Sequence, residues 1–170
     1  MAKYTLSVLV ENHAGVLSRV SGLFSRRGFN IDSLAVGVTE NPEISRMTIV
    51  VDGDEYTVEQ VSKQLNKLID VIKLKRLEQA ESVSRELALI KVAANASTRS
   101  EIVQIVEIFR AKIVDVSKTT LTIEAAGGSD KVAALEDMLK QFGIKEIVRT
   151  GTIAIERGNR IIKVTNNEEE

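Results

Sequence analysis

The segment Glu11-Asn12-His13-Ala14-Gly15-Val16-Leu17-Ser18-Arg19 gathers residue types suited to holding a small anion. A helix that begins near Gly15 leaves the N–H groups of Gly15, Val16 and Leu17 without intrahelical partners, and its dipole favours negative charge there. Gly15 allows a ligand to approach the backbone closely. A carboxylate suits this place, and the Asn12 amide offers both donors and an acceptor for the rest of the ligand. Asn30, at the start of the following strand, is a second amide for the same ligand, with Ile31 and Leu34 as an apolar wall for a side chain. A plainer role fits the same residues: Asn12 and Gly15 would then only shape a loop and cap a helix.

Other candidates for chemistry are weaker. His13 is the single histidine, and with no cysteine and no G-x-S-x-G elbow it has no nucleophile to serve. It reads as a loop histidine. Glu55, Glu59, Glu136 and Asp137 fall on solvent faces of expected helices, and no His/Asp/Glu spacing matches a metal motif. Gly127-Gly128 reads as a turn rather than a phosphate cradle, and Arg26-Arg27 as a solvated helix end. Asn95-Ala96-Ser97 matches the glycosylation sequon, which is irrelevant to a cytoplasmic protein. A net charge of −1 and 4% aromatic residues argue against a nucleic-acid partner. No apolar run approaches the length of a membrane span. The strand pattern beginning at Tyr4 argues against a cleaved signal peptide, and the absence of cysteine fits a cytoplasmic location, the compartment expected here.

The elements that position the loop follow from hydrophobic periodicity. Tyr4, Leu6, Val8 and Val10 alternate over 4–10 as a strand. Val16, Val20, Leu23 and Phe24 form a helical stripe over 16–27, stopped by Gly28. Strands are expected at 29–38 and 46–52, joined by the turn Thr39-Glu40-Asn41-Pro42. A capping box at Thr57 and Gln60 precedes the stripe Val58, Val61, Leu65, Leu68 and Ile69. A strand at 71–77 closes the order βαββαβ. The order recurs: strand 86–94, a capping box at Thr98 and Glu101, the stripe Ile102, Ile105, Val106 and Phe109, and strands 112–117 and 120–125. The stripe Val132, Leu135, Leu139 and Phe142 then stops at Gly143, and one strand runs from Ile144 to about Ile155.

The fold class is therefore α+β, two ferredoxin-like βαββαβ sandwiches. Residues 1–77 form the first domain, 78–85 a polar linker, 86–163 the second domain and 164–170 a polar acidic tail. Each half is small enough to have a marginal core, and a helix-free sheet face and free edge strands invite a second copy or another protein.

The run ENHAGVLSRVSGLFSRRGFNIDSLAVGVTE, followed by SRMTIVV and later by EIFRAKIVDVSKTTLTIEAAG and RTGTIAIERG, resembles the small subunit of acetohydroxyacid synthase (acetolactate synthase). The resemblance covers the chain up to its Glu168–Glu170 end and implies that the first half is an ACT domain, a small-molecule sensor. It implies a non-catalytic chain that activates a catalytic large subunit and confers feedback inhibition by valine in branched-chain amino-acid biosynthesis. Thiamine diphosphate, magnesium and often FAD would reside on that partner, and no cofactor on this chain. Carried over by motif, the valine-binding positions are Asn12, Gly15, Val16, Leu17, Asn30 and Ile31, shared across a homodimer of ACT domains. Two rivals are an ACT sensor serving another enzyme or a transcriptional system, and a ferredoxin-like enzyme such as an acylphosphatase, for which no nucleophile is in evidence.

Overall fold

Alternation and helical spacing produce the elements they predict, with informative exceptions at their ends. The structure, a computed structural model, describes residues 2–162 and 164. The first sheet has the order β2-β3-β1-β4, from β1 (Ala2–Glu11), β2 (Ile31–Val38), β3 (Ile44–Gly53) and β4 (Val71–Leu77), all paired antiparallel. Helices α1 (Val16–Arg27) and α2 (Glu55–Leu65) lay Val16, Val20, Leu23, Phe24, Val58, Val61 and Leu65 on Leu6, Val8, Val10, Met47, Ile49 and Val51. Gly28 ends α1 in the left-handed conformation (φ 68°), as its place after the stripe predicts.

The second sheet has the order β6-β7-β5-β8, from β5 (Ser82–Ala93), β6 (Lys112–Val116), β7 (Thr120–Gly127) and β8 (Ile144–Arg149). Helices α3 (Arg99–Ile108) and α4 (Ser129–Leu139) cover it with Ile102, Ile105, Val106, Val132, Leu135 and Leu139. Both sandwiches are thus ferredoxin-like, as the repeated order predicts.

Four local expectations are corrected. Helix α2 is capped not by Thr57 but by Asp54, whose Oδ1 accepts from Thr57 N–H at 2.8 Å, so the helix starts earlier and Gln60 lies inside it. Ile69 is not on its stripe: the helix has already ended, and Ile69 is 92% exposed. Helix α3 starts where expected, but Thr98 makes no side-chain cap; the Asn95 carboxamide takes that task. The strand expected over 144–155 is two strands. Gly151 turns at φ 80°, and Thr150 Oγ1 accepts from Leu87 N–H and donates to Gly151 O, which ends β8 before β9 (Ile153–Glu156) begins.

The chain divides into one unit of residues up to Val83 together with those from Thr152, and another of Ser84–Gly151. Of the expected linker 78–85, Gln79–Glu81 form a 3₁₀ turn and the rest from Ser82 opens β5, with which β9 pairs. Within the first unit β9 also meets β1 and β4, and Glu156 reaches Lys75 at 2.7 Å. That return explains why Ser7, Leu9, Thr48 and Val50, on the face away from the helices, are buried. The helix-free face of this sheet is therefore covered in part by the chain itself. The expected tail over 164–170 lies outside the described residues except for Val164.

Candidate functional site

The loop after β1 is held from two sides. Glu11 N–H donates to Asp70 O at 3.0 Å, and Asn12 N–H donates to Glu43 O at 2.8 Å. Asn12 Nδ2 donates to Pro42 O at 2.8 Å, which leaves Oδ1 as the acceptor for a ligand donor. Gly15 adopts φ 90°, ψ −13°, a conformation that L side chains rarely take, and its carbonyl accepts the first helical bond from Arg19 N–H. Helix α1 has neither a side-chain cap nor an acidic residue in its first turn. Its leading N–H groups, those of Val16 and Leu17 among them, therefore remain available to an anion. The Val16 side chain is 3% exposed and belongs to the core, so this residue offers its amide; the Leu17 side chain is open to solvent.

Asn30 is exposed just before β2, and Ile31 is half-buried against the first core beside Leu34. Ile31 pairs with Val51, which pairs with Tyr4, whereas Glu11 pairs with Ile44. Asn12 and Asn30 therefore mark opposite ends of one sheet. At about 3.3 Å per residue, the seven steps of β1 from Tyr4 to Glu11 separate them by roughly 23 Å. One copy of the sheet does not bring the two amides together.

A cluster that the sequence does not reveal backs the loop. Arg19 Nε donates to Asp70 Oδ2 at 2.5 Å, and the Asp70 side chain is only 5% exposed. His13 Nε2 lies 2.9 Å from Glu11 Oε2 and 3.1 Å from Asp70 Oδ1, while Nδ1 lies 3.1 Å from Ala14 O. Both ring nitrogens face acceptors, so the doubly protonated imidazolium is favoured. The His13 pKa is accordingly raised above its ordinary value, first by the Ala14 carbonyl and then by Glu11. The Arg19 hydrogen bond, followed by its charge, holds the Asp70 carboxyl below the usual carboxylate range. Ligand atoms of Glu11, His13 and Asp70 lie within 4.8 Å of one another, close enough for a small cation. The Arg19 guanidinium, bonded to Asp70, already supplies positive charge there, which disfavours a metal ion. Asp70 escapes a reading of sequence because it lies 51 residues from Arg19, in the turn between α2 and β4 rather than in a motif.

Comparison with known proteins agrees with this architecture. Residues 6–73 match the family model of the AHAS small subunit-like ACT domain, and residues 85–158 match that of the small subunit of acetolactate synthase. A probable acetolactate synthase small subunit of Archaeoglobus fulgidus is 58% identical over 93% of this chain and 99% of its own length. An acetolactate synthase small subunit of Mycolicibacterium smegmatis is 59% identical over 92% of each. The crystal structure of the small subunit from Thermotoga maritima superposes with a TM-score of 0.87 at 44% identity, covering 94% of this chain and 100% of that one. The chain belongs to the acetolactate synthase small-subunit family.

Proposed function

We propose that this chain is the non-catalytic regulatory subunit of an acetohydroxyacid synthase, raising the activity of the catalytic subunit and making it sensitive to valine. The observation that carries this reading is the separation of the two half-sites. The uncapped start of α1 with Asn12 stands at one end of the first sheet, and Asn30 with Ile31 at the other. Strand β2 is an edge of that sheet, with Val36 and Val38 exposed on it. Antiparallel pairing of β2 with β2 of a second copy inverts the second sheet. Asn30 and Ile31 of the second copy then come to the end occupied by Asn12 and Gly15. A branched amino acid between them places its carboxylate on the α1 start, its ammonium by the Asn side chains and its side chain among Ile31 and Leu17.

Valine bound across such an interface biases the arrangement of the two copies, and the catalytic subunit must prefer one arrangement for feedback to arise. Thiamine diphosphate, magnesium and, where used, FAD belong to that partner. By reciprocity the partner changes valine affinity by the same factor, about 5- to 150-fold for a typical coupling. The test is calorimetric titration of the dimer with valine, leucine and isoleucine, followed by reconstitution with the catalytic subunit. Saturable binding near one valine per protomer and a valine-sensitive gain in synthase activity are expected. Silence in both calorimetry and thermal shift, alone and with the catalytic subunit, overturns the reading.

A further inference from the structure

We propose that Arg19 is a specificity-determining residue of the effector site, its two Nη groups receiving the effector's carboxylate while buried Asp70 fixes the guanidinium. The inference rests on the effector reading above and adds to it the requirement for a free carboxylate.

Arg19 lies four residues beyond Gly15 and so stands on the same side of α1, one turn on. Its side chain folds back toward the helix start. Nη1 lies 3.1 Å from the position that a Cβ on Gly15 would occupy, and Nη2 lies 3.8 Å from it. The guanidinium thus borders the glycine whose bare Cα opens the loop. Nε is committed to Asp70 Oδ2, and among the described residues neither Nη nitrogen has a hydrogen-bond partner. Asp70 is engaged at both ends: His13 Nε2 lies 3.1 Å from its other carboxylate oxygen, and its backbone carbonyl accepts from Glu11 N–H.

Asp70 answers the guanidinium at its Nε edge, while the Nη edge faces the positive end of an uncapped helix, where a further anion is favoured. No acidic residue of the first turn supplies one. The arrangement has the form of a two-sided carboxylate clamp, with backbone N–H groups on one side and a pre-oriented guanidinium fork on the other. Anchoring through Nε removes most of the rotamer freedom that a free arginine loses on binding. The ligand class that follows is a small α-amino acid with a free carboxylate; its amide or ester, or a residue inside a peptide, forfeits the fork. Asp70 is a positioning residue in this scheme and touches no ligand.

The experiment is titration of the full-length dimer, wild type and the variants Arg19→Gln, Arg19→Lys and Asp70→Asn, with valine and with valinamide, with melting curves run to check folding. Wild type is expected to prefer valine strongly. Arg19→Gln is expected to lose valine affinity by roughly 10- to 150-fold, the worth of a charge-assisted hydrogen bond, and most of its preference over valinamide. Arg19→Lys keeps the cation and a partner for Asp70 but not the fork, and is expected to recover part of both. Asp70→Asn is expected to weaken valine binding less and to keep the preference. If Arg19→Gln fails to fold, the Arg19→Lys ratio of valine to valinamide affinity decides. Wild-type valine binding with an unchanged ratio in the Arg19 variants overturns this inference and leaves the effector reading intact. No valine binding by wild type removes both.

Discussion

The two sandwiches share an element order, yet their first strand-to-helix loops end in opposite ways. In the first, α1 begins at Gly15 with no side-chain cap, and its leading N–H groups are free for a ligand. In the second, Asn95 Oδ1 accepts from Ser97 N–H at 2.9 Å and from Thr98 N–H at 3.0 Å, so the protein's own oxygen fills the corresponding place. Asn95 N–H in turn donates to Thr98 Oγ1 at 3.1 Å, closing the turn on itself. The backbone plan is the same, and one carboxamide decides whether a helix start keeps its N–H groups open or closes on itself. A shared fold therefore says little about function until the loop is inspected.

The sharpest way to break this contrast is to fill the open start. Gly15→Asp places a β-carbon in a left-handed backbone position and 3.1 Å from Arg19 Nη1, and sets a carboxylate where the ligand's belongs. We expect more than about 100-fold loss of valine affinity, a loss above 2.7 kcal/mol, by combining strain with like-charge repulsion; calorimetry and feedback assays on the reconstituted synthase would read it. The converse change empties the finished corner. Asn95→Ala should lower stability by about 1 kcal/mol, the usual worth of a lost cap, while valine binding stays unchanged. A drop in valine affinity as large as that of Gly15→Asp would show that the second loop also binds effector. Asn30→Ala should weaken valine binding by roughly 2- to 10-fold, one neutral hydrogen bond, without altering the melting curve. Equal affinity in that variant would remove β2 from the site.

The smallest effect should come from His13, and its sign is set by pH. Its folded pKa is raised above the unfolded value of about 6.5, so its contribution is fully present below that value and is lost as pH rises through the folded pKa. The difference in melting temperature between wild type and His13→Ala should therefore be largest in mild acid and shrink toward alkaline pH. A difference independent of pH would mean that the ring serves by packing rather than by charge. The second loop has no such titrating neighbour among the groups that hold it, so Asn95→Ala should show a pH-independent loss.

Hydrophobic periodicity reaches as far as the local chain does. The stripes of α1, α3 and α4 bury as predicted, the stop at Gly28 is where a residue of positive φ must stand, and β4 occupies the span its alternation marks. Where side chains compete for one local task, pattern misleads: Asp54 and Asn95 cap helices that Thr57 and Thr98 were expected to cap. The sequence read Asn95 only as part of a sequon, because an Asx turn differs from one in geometry and not in residue type.

Sequence alone determined the repeated order of elements and the loop of Asn12 and Gly15, because these depend on spacing within a dozen residues, and it carried the family as a resemblance over nearly the whole chain. Tertiary structure decided what depends on chain segments that meet from afar. It brought Asp70 to Arg19 and His13, and set Asn12 and Asn30 at opposite ends of one sheet through the register of β1, β3 and β2. It also sent residues from Thr152 back to the first unit, where a single strand had been expected to end the second. Periodicity reports which face of an element is buried; which distant segment buries it, and which charge finds which partner, is fixed only when the packed chain leaves one arrangement with its buried polar groups paired.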